Sequence, residues 1–222
     1  MQVSFRRSAR RTFTTLAMAG ALFASFTLSA QAADFDNMFK TDRTDWSCAD
    51  DSYFCRTDNG YLTFAIEPGM TDAGDSDVRE VLRDEYGPTD LERHEQTGSE
   101  VEYNGSTETD IIYDWEDPNL PAGVTGSTWC NDAASAYECD QHYISFDNMG
   151  GGSANPWKAV VCHETGHAVG LTHGYESSPF HFQDDPALGC MRTHAMTTDE
   201  QLSWTNLGSH NVGQINGTYT KP

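Results

Sequence analysis

Residues 61–66 read Tyr-Leu-Thr-Phe-Ala-Ile, an alternation of β-favouring side chains closed by Pro68-Gly69, which predicts a strand. Over 75–86 the period changes. Val78, Val81 and Leu82 fall on one stripe, Asp75 or Ser76 can cap, and Gly87-Pro88 stops the pattern, so a helix is expected there. The polar run to Gly98 carries neither period and reads as loop. Short β-favouring stretches at 101–103, 111–115, 125–129 and 142–146, separated by turn residues, predict four more strands, five in all. After the flexible Gly150-Gly151-Gly152, Asn155 as cap and Pro156 at the first helical position open a second helix that runs to Gly170.

The chain's first segment does not share this patterning. Arg6, Arg7, Arg10 and Arg11 precede an apolar run over 16–28 and then Ala30-Gln31-Ala32, the order of a secretory signal, and the run is too short to span a bilayer. The expected division is a signal peptide at 1–32, an N-terminal extension with a short disulfide loop at 33–57, and the main domain at 58–222. The expected product is secreted and extracellular, with periplasm or cell surface as alternative destinations. It has no membrane attachment after signal removal and is a monomer.

The formal net charge is −21, and it becomes more negative when those four arginines leave with the signal. A phosphate backbone needs a positive footprint, so nucleic acid is excluded as a partner. Acidity of this kind suits solubility outside the cell. The carboxylates of Asp72, Asp75 and Asp77 make a candidate Ca2+ site, without the spacing of a recognised calcium loop.

Six cysteines in an exported chain read as disulfides, with fifteen possible connectivities. Short separations favour Cys48 with Cys55 and Cys130 with Cys139, leaving Cys162 with Cys190. None forms a Cys-x-x-Cys pair.

The chemistry concentrates in HETGHAVGLTHG, residues 163–174. Histidines four apart on a helix lie on one face, one turn apart, so His163 and His167 can bind a single ion. Glu164 lies beside the first ligand, angled to reach water on a metal. Gly170 can take the left-handed conformation that ends the helix and brings His173 back as a third nitrogen ligand. The other histidines, His94, His142, His181, His194 and His210, read as solvated.

This run fits His-Glu-x-x-His-x-x-Gly-x-x-His throughout, and in it the chain resembles the metzincin zinc peptidases, the clan of matrixins, astacins, serralysins and reprolysins. The resemblance implies an α+β fold: a twisted, mixed five-stranded sheet with an antiparallel edge strand, a zinc-binding active-site helix and a small C-terminal lobe. It implies one catalytic Zn2+ on His163, His167 and His173, with Glu164 as general base in an endopeptidase. It further implies a methionine turn beneath the metal, for which Met191 is the candidate ahead of Met196, and a terminal helix, for which 211–219 is the candidate. A protein or peptide substrate would lie on the edge strand at Gly126, Ser127, Thr128 and Trp129. If Met191 packs under the metal, a Cys162–Cys190 bridge clamps that floor to the helix. Gly174 follows the third histidine and Thr193 stands two residues after Met191, so the tyrosine pattern of astacins and serralysins is not met and no subfamily is assigned. The alternative readings are a zinc-dependent hydrolase of non-peptide amides or esters, and a non-catalytic zinc-binding module.

Overall fold

The computed structural model describes residues 35–40, 47–49, 52–105, 107–115, 120, 124–147, 154–192 and 204–219, all within 32–222, which is one unit. The proposed signal, His194, Met196 and Gly150-Gly151-Gly152 lie outside the described residues.

The fold is α+β. The strands are β1 (Ser52–Tyr53), β2 (Arg56–Thr57), β3 (Tyr61–Ile66), β4 (Glu92–Glu95), β5 (Ile111–Trp115), β6 (Gly126–Asp132), β7 (Glu138–Cys139) and β8 (Gln141–Phe146). The main sheet has six strands rather than the expected five, in the order β1-β6-β8-β5-β3-β4, because β1 adds a two-residue strand outside β6, and β2 pairs with β7 separately. β4, β3, β5 and β8 run parallel, while β6 is antiparallel to β8. Ile111, Ile112 and Tyr113 of β5 are fully buried, as expected of a parallel strand covered on both faces.

Two expectations about the sheet are corrected. Residues 101–103 form no strand. They belong to a loop that Thr109 closes, its N–H donating to the Glu102 carbonyl at 2.9 Å and its hydroxyl accepting from the Glu102 N–H at 3.1 Å. Conversely, Glu-Arg-His-Glu at 92–95 is a strand. It sits at the sheet edge with mostly exposed side chains, so its ladder bonds to β3 hold it without an alternating pattern.

Helix α1 (Asp72–Asp84) begins earlier than expected, capped by Thr71, whose hydroxyl accepts from the Gly74 N–H at 3.2 Å. The calcium expectation gains no support from this placement. Asp72, Asp75 and Asp77 are helical; Asp72 and Asp75, three apart, share a face, whereas Asp77 lies about 200° round from Asp75. Asp75 lies 3.5 Å from Arg79 and Asp77 3.9 Å from Lys158. Helix α2 (Ala154–Ala168) starts one residue ahead of Asn155, which is therefore inside it rather than capping it. It packs on α1, β6 and β8, and joins Val78, Val81, Ile144, Phe146 and Val160 in one core. Helix α3 (Gly208–Thr218) packs on a 3-10 turn at Pro186–Met191, and Phe35 and Met38 of the N-terminal segment enter the same core.

The disulfides are Cys48–Cys55, Cys130–Cys139 and Cys162–Cys190. The first two share a small buried cluster, and the third ties α2 to the Pro186–Met191 turn.

Candidate active site

The end of α2 determines where the third histidine goes. The Leu171 N–H donates to the Gly166 carbonyl at 2.7 Å and the Gly170 N–H to that of His167 at 2.8 Å, with Gly170 at φ 94°. Only glycine suits this position, because a Cβ would also fall 2.6 Å from Arg56 Cβ. The chain reverses and is caught by the N-terminal segment: Leu171 bridges Met38, and the Thr172 N–H donates to the Asn37 carbonyl at 2.7 Å. Asn37, fully buried, also donates its side-chain amide to the Thr172 carbonyl at 3.1 Å.

The three Nε2 atoms converge. His163 and His167 stand 3.1 Å apart, His167 and His173 3.2 Å, and His163 and His173 3.1 Å. Their tautomers follow from what the opposite nitrogens touch. His163 Nδ1 lies 2.7 Å from the Cys190 carbonyl and His167 Nδ1 2.8 Å from the Leu171 carbonyl. A carbonyl can only accept, so both Nδ1 atoms carry hydrogens and both Nε2 atoms carry bare lone pairs. His173 Nδ1 lies 3.3 Å from the Tyr175 hydroxyl and 3.4 Å from a Glu176 carboxylate oxygen, and the carboxylate, which can only accept, favours the same tautomer. Lone pairs this close repel unless a cation lies among them. Tetrahedral zinc, with bonds of about 2.0–2.1 Å to nitrogen, separates its ligands by about 3.3 Å, so the donor set fits that ion. Burial, with the neighbouring His173, pushes the His163 pKa down to about 3 against the Cys190 hydrogen bond. Burial also holds His167 well below its ordinary value, and neutral imidazole is the metal-binding form.

Glu164 is buried, and burial pushes its pKa up to about 7 against a hydrogen bond from Thr128. The Thr128 hydroxyl lies 2.8 Å from Oε2 and 2.9 Å from the Glu164 carbonyl oxygen, so its one proton can serve either. The edge-strand expectation is thereby refined. Thr128 turns its side chain to the helix, and β1 already covers the edge at Trp129 and Cys130. Among the described residues no strand pairs with the outer edge of Gly126, Ser127 and Thr128.

Met191 is fully buried, and a Cβ on Gly166 would stand 2.3 Å from its sulfur. The turn carrying it therefore lies directly against α2 between the histidines. Tyr86 and Tyr113 secure the same helix, through a hydroxyl donated to the Cys162 carbonyl at 2.6 Å and a 2.8 Å contact with the Thr165 hydroxyl.

Two contributors carried no readable signal, Asn37 and Phe54, whose ring stacks on His167 at 4.1 Å between centroids, and Thr128, expected only on the substrate edge, reaches Glu164 instead. Tyr175 stacks on His173 at 5.4 Å. Of the other histidines, His94 is exposed and His181 pairs with Asp185 at 2.7 Å, but His142 and His210 are buried, which corrects the solvated reading. His142 lies inside the sheet against the Cys55 carbonyl at 3.0 Å, and His210 reaches Asn37 Oδ1 at 3.1 Å.

No family model matches the chain, and no curated protein matches it in sequence. Solved structures do match. A high choriolytic enzyme, a hatching-enzyme zinc protease from the medaka fish Oryzias latipes, is 15% identical over 55% of this chain and 50% of that one, with a TM-score of 0.33. One structure of myroilysin is 15% identical over 62% of this chain and 56% of that one, TM-score 0.36. Another is 12% identical over 84% and 95% respectively, TM-score 0.46. The chain thus spans about half the length of the hatching-enzyme structure.

Proposed function

We propose that this chain is a secreted zinc-dependent endopeptidase of metzincin type. The observation that carries the reading is the convergence of three Nε2 atoms, those of His163 and His167 bared by carbonyl acceptors on Nδ1, beside a buried carboxylate. His163, His167 and His173 would hold the ion. When bound, zinc supplies Lewis-acid chemistry, acidifying a water and polarising a carbonyl. Glu164 accepts the proton of the attacking water and returns it to the departing amine. The Thr128 hydroxyl on its Oε2 keeps the carboxyl aimed while it changes charge. Met191 forms the floor beneath α2. A three-histidine set with a neighbouring base argues against a closed structural site, which uses four protein ligands.

Residues 1–32 act as the export signal, 33–57 as an extension that buttresses the third ligand, and 58–222 as the catalytic part. Three disulfides suit an oxidising compartment, and among the described residues no helix is long and apolar enough to cross a membrane.

The test is incubation of the purified protein with a mixed-peptide library, with and without a zinc chelator. Cleavage should stop on chelation and return with zinc. Glu164→Gln should keep stoichiometric zinc and lose at least about a thousandfold in turnover, the upper part of what general acid–base catalysis contributes. Chelator-insensitive cleavage, or full turnover in that variant, would overturn the reading.

A further inference from the structure

The chain supplies its own strand to part of the edge that a substrate would use. β1 is antiparallel to β6, Ser52 opposite Cys130 and Tyr53 opposite Trp129. A peptide lying on β6 in the same sense enters opposite Cys130 and leaves opposite Gly126. The level of the chemistry on this edge is marked twice. The Thr128 hydroxyl meets the Glu164 carboxylate, and a Cβ on Gly126 would stand 2.8 Å from Glu164 Cγ and 2.9 Å from Oε1. β1 therefore fills the ladder on the side that receives residues preceding the cleaved bond, and stops one position short of Thr128.

At that point the chain turns inward. Phe54 would be next to pair, but it is buried and its ring stacks on His167. The segment is fastened at both ends. Cys48 is bridged to Cys55 and donates its N–H to the Ala136 carbonyl at 2.8 Å, and the Cys55 carbonyl accepts from His142 Nε2 at 3.0 Å. β2 follows at once and pairs with β7, leaving little slack for withdrawal.

We propose that β1 and Phe54 are a built-in specificity element that closes the groove to residues preceding the scissile bond, so that peptides are selected for a short amino-terminal side. This rests on the zinc-peptidase reading and narrows it: β1 restricts cleavage to bonds close to a peptide's amino terminus, in place of the internal bonds an uncovered edge would accept. The bond and the residues following it keep the edge at Gly126–Thr128, which no strand covers among the described residues, and there main-chain pairing gives affinity with little demand on sequence.

The experiment uses peptides identical after the cleaved bond and carrying one, two, four or six residues before it. In the wild-type protein, kcat/KM should fall at least tenfold between two residues and four. Cys48→Ser/Cys55→Ser and, separately, Tyr53→Pro should raise cleavage of the longer peptides at least fivefold while leaving the shortest within twofold. Should both variants fail to fold, the wild-type length series decides alone. Equal or faster cleavage of the longer peptides would overturn the proposal. Binding to the Glu164→Gln protein, followed by calorimetry, reads the groove without turnover: affinity unchanged or weakened by the added residues supports the proposal, and tightening overturns it. Absence of cleavage in every peptide would sink the peptidase reading, and the binding series would still decide whether β1 closes the groove.

Discussion

The sulfur of Met191 occupies the space that a side chain on Gly166 would need, 2.3 Å from where its Cβ would stand. Gly166→Ala gains about 1 kcal/mol of helix propensity. It also presses on a thioether that is fully buried, and overpacking of this kind costs about 1–3 kcal/mol, so a net loss is expected. Met191→Ala alone should cost about 2–5 kcal/mol. The two should not add: the double variant should be at least as stable as Met191→Ala. Urea unfolding of all four proteins measures the coupling, and simple additivity would show that the contact does not matter.

The Cys190 carbonyl that accepts from His163 belongs to a residue bridged to Cys162, immediately before His163 in α2. Replacing both cysteines by alanine opens a 28-residue separation and should cost roughly 3 kcal/mol. It should also weaken zinc binding about tenfold by loosening the acceptor that orients His163. The Cys130→Ala/Cys139→Ala pair should lower the melting temperature with zinc affinity unchanged. Competition with a chromophoric chelator separates the two. Unchanged affinity in the first variant would remove the link.

Asn37 joins three parts of the chain. Its amide reaches the Thr172 carbonyl and, at 3.0 Å, Asn211 Oδ1, while its own Oδ1 lies 3.1 Å from His210 Nε2. Asn37→Leu leaves these buried groups unpaired and should cost at least about 1–3 kcal/mol. Because Thr172 precedes His173, zinc should bind less tightly to the folded variant. Thermal melts and zinc titration check this, and a variant with normal affinity would make Asn37 a stability residue alone.

Glu108 lies buried three residues ahead of β5, with one carboxylate oxygen lacking a hydrogen-bond partner among the described residues. Burial first, then the charges of Asp132 and Asp140, push its pKa up to about 7. A raised carboxyl stabilises the fold when protonated. Its contribution is complete below the unfolded value near 4.5, declines as pH rises and is lost through about 7. Glu108→Gln should therefore raise the melting temperature at pH 8 and flatten its fall between about pH 4.5 and 7. Parallel curves for the two proteins would exclude Glu108 as the source.

Much of the frame was legible because local rules decided it. The alternation at Tyr61–Ile66 and the stripe of Val78, Val81 and Leu82 mark elements whose periodicity reflects one buried face. Where that face is missing the reading failed. Glu92–Glu95 has no apolar side to betray it, and the β-favouring residues at 101–103 meet no partner strand. The cap of α1 was misplaced because Thr71, Asp75 and Ser76 are all competent, and only the folded backbone brings the Gly74 N–H to one hydroxyl.

What the sequence determined by itself is the chemistry carried by spacing: two histidines one helical turn apart, a carboxylate between them, and a glycine placed to return the chain to a third. Those relations lie within a dozen residues, where backbone geometry leaves few choices. Which groups aim that chemistry was decided only by the tertiary structure. Asn37 beneath Thr172, Met191 against Gly166, Thr128 on Glu164, and β1 laid beside Trp129 each join residues far apart in the chain. Their placement depends on how the sheet is ordered and how the core closes, and no local period or motif encodes that.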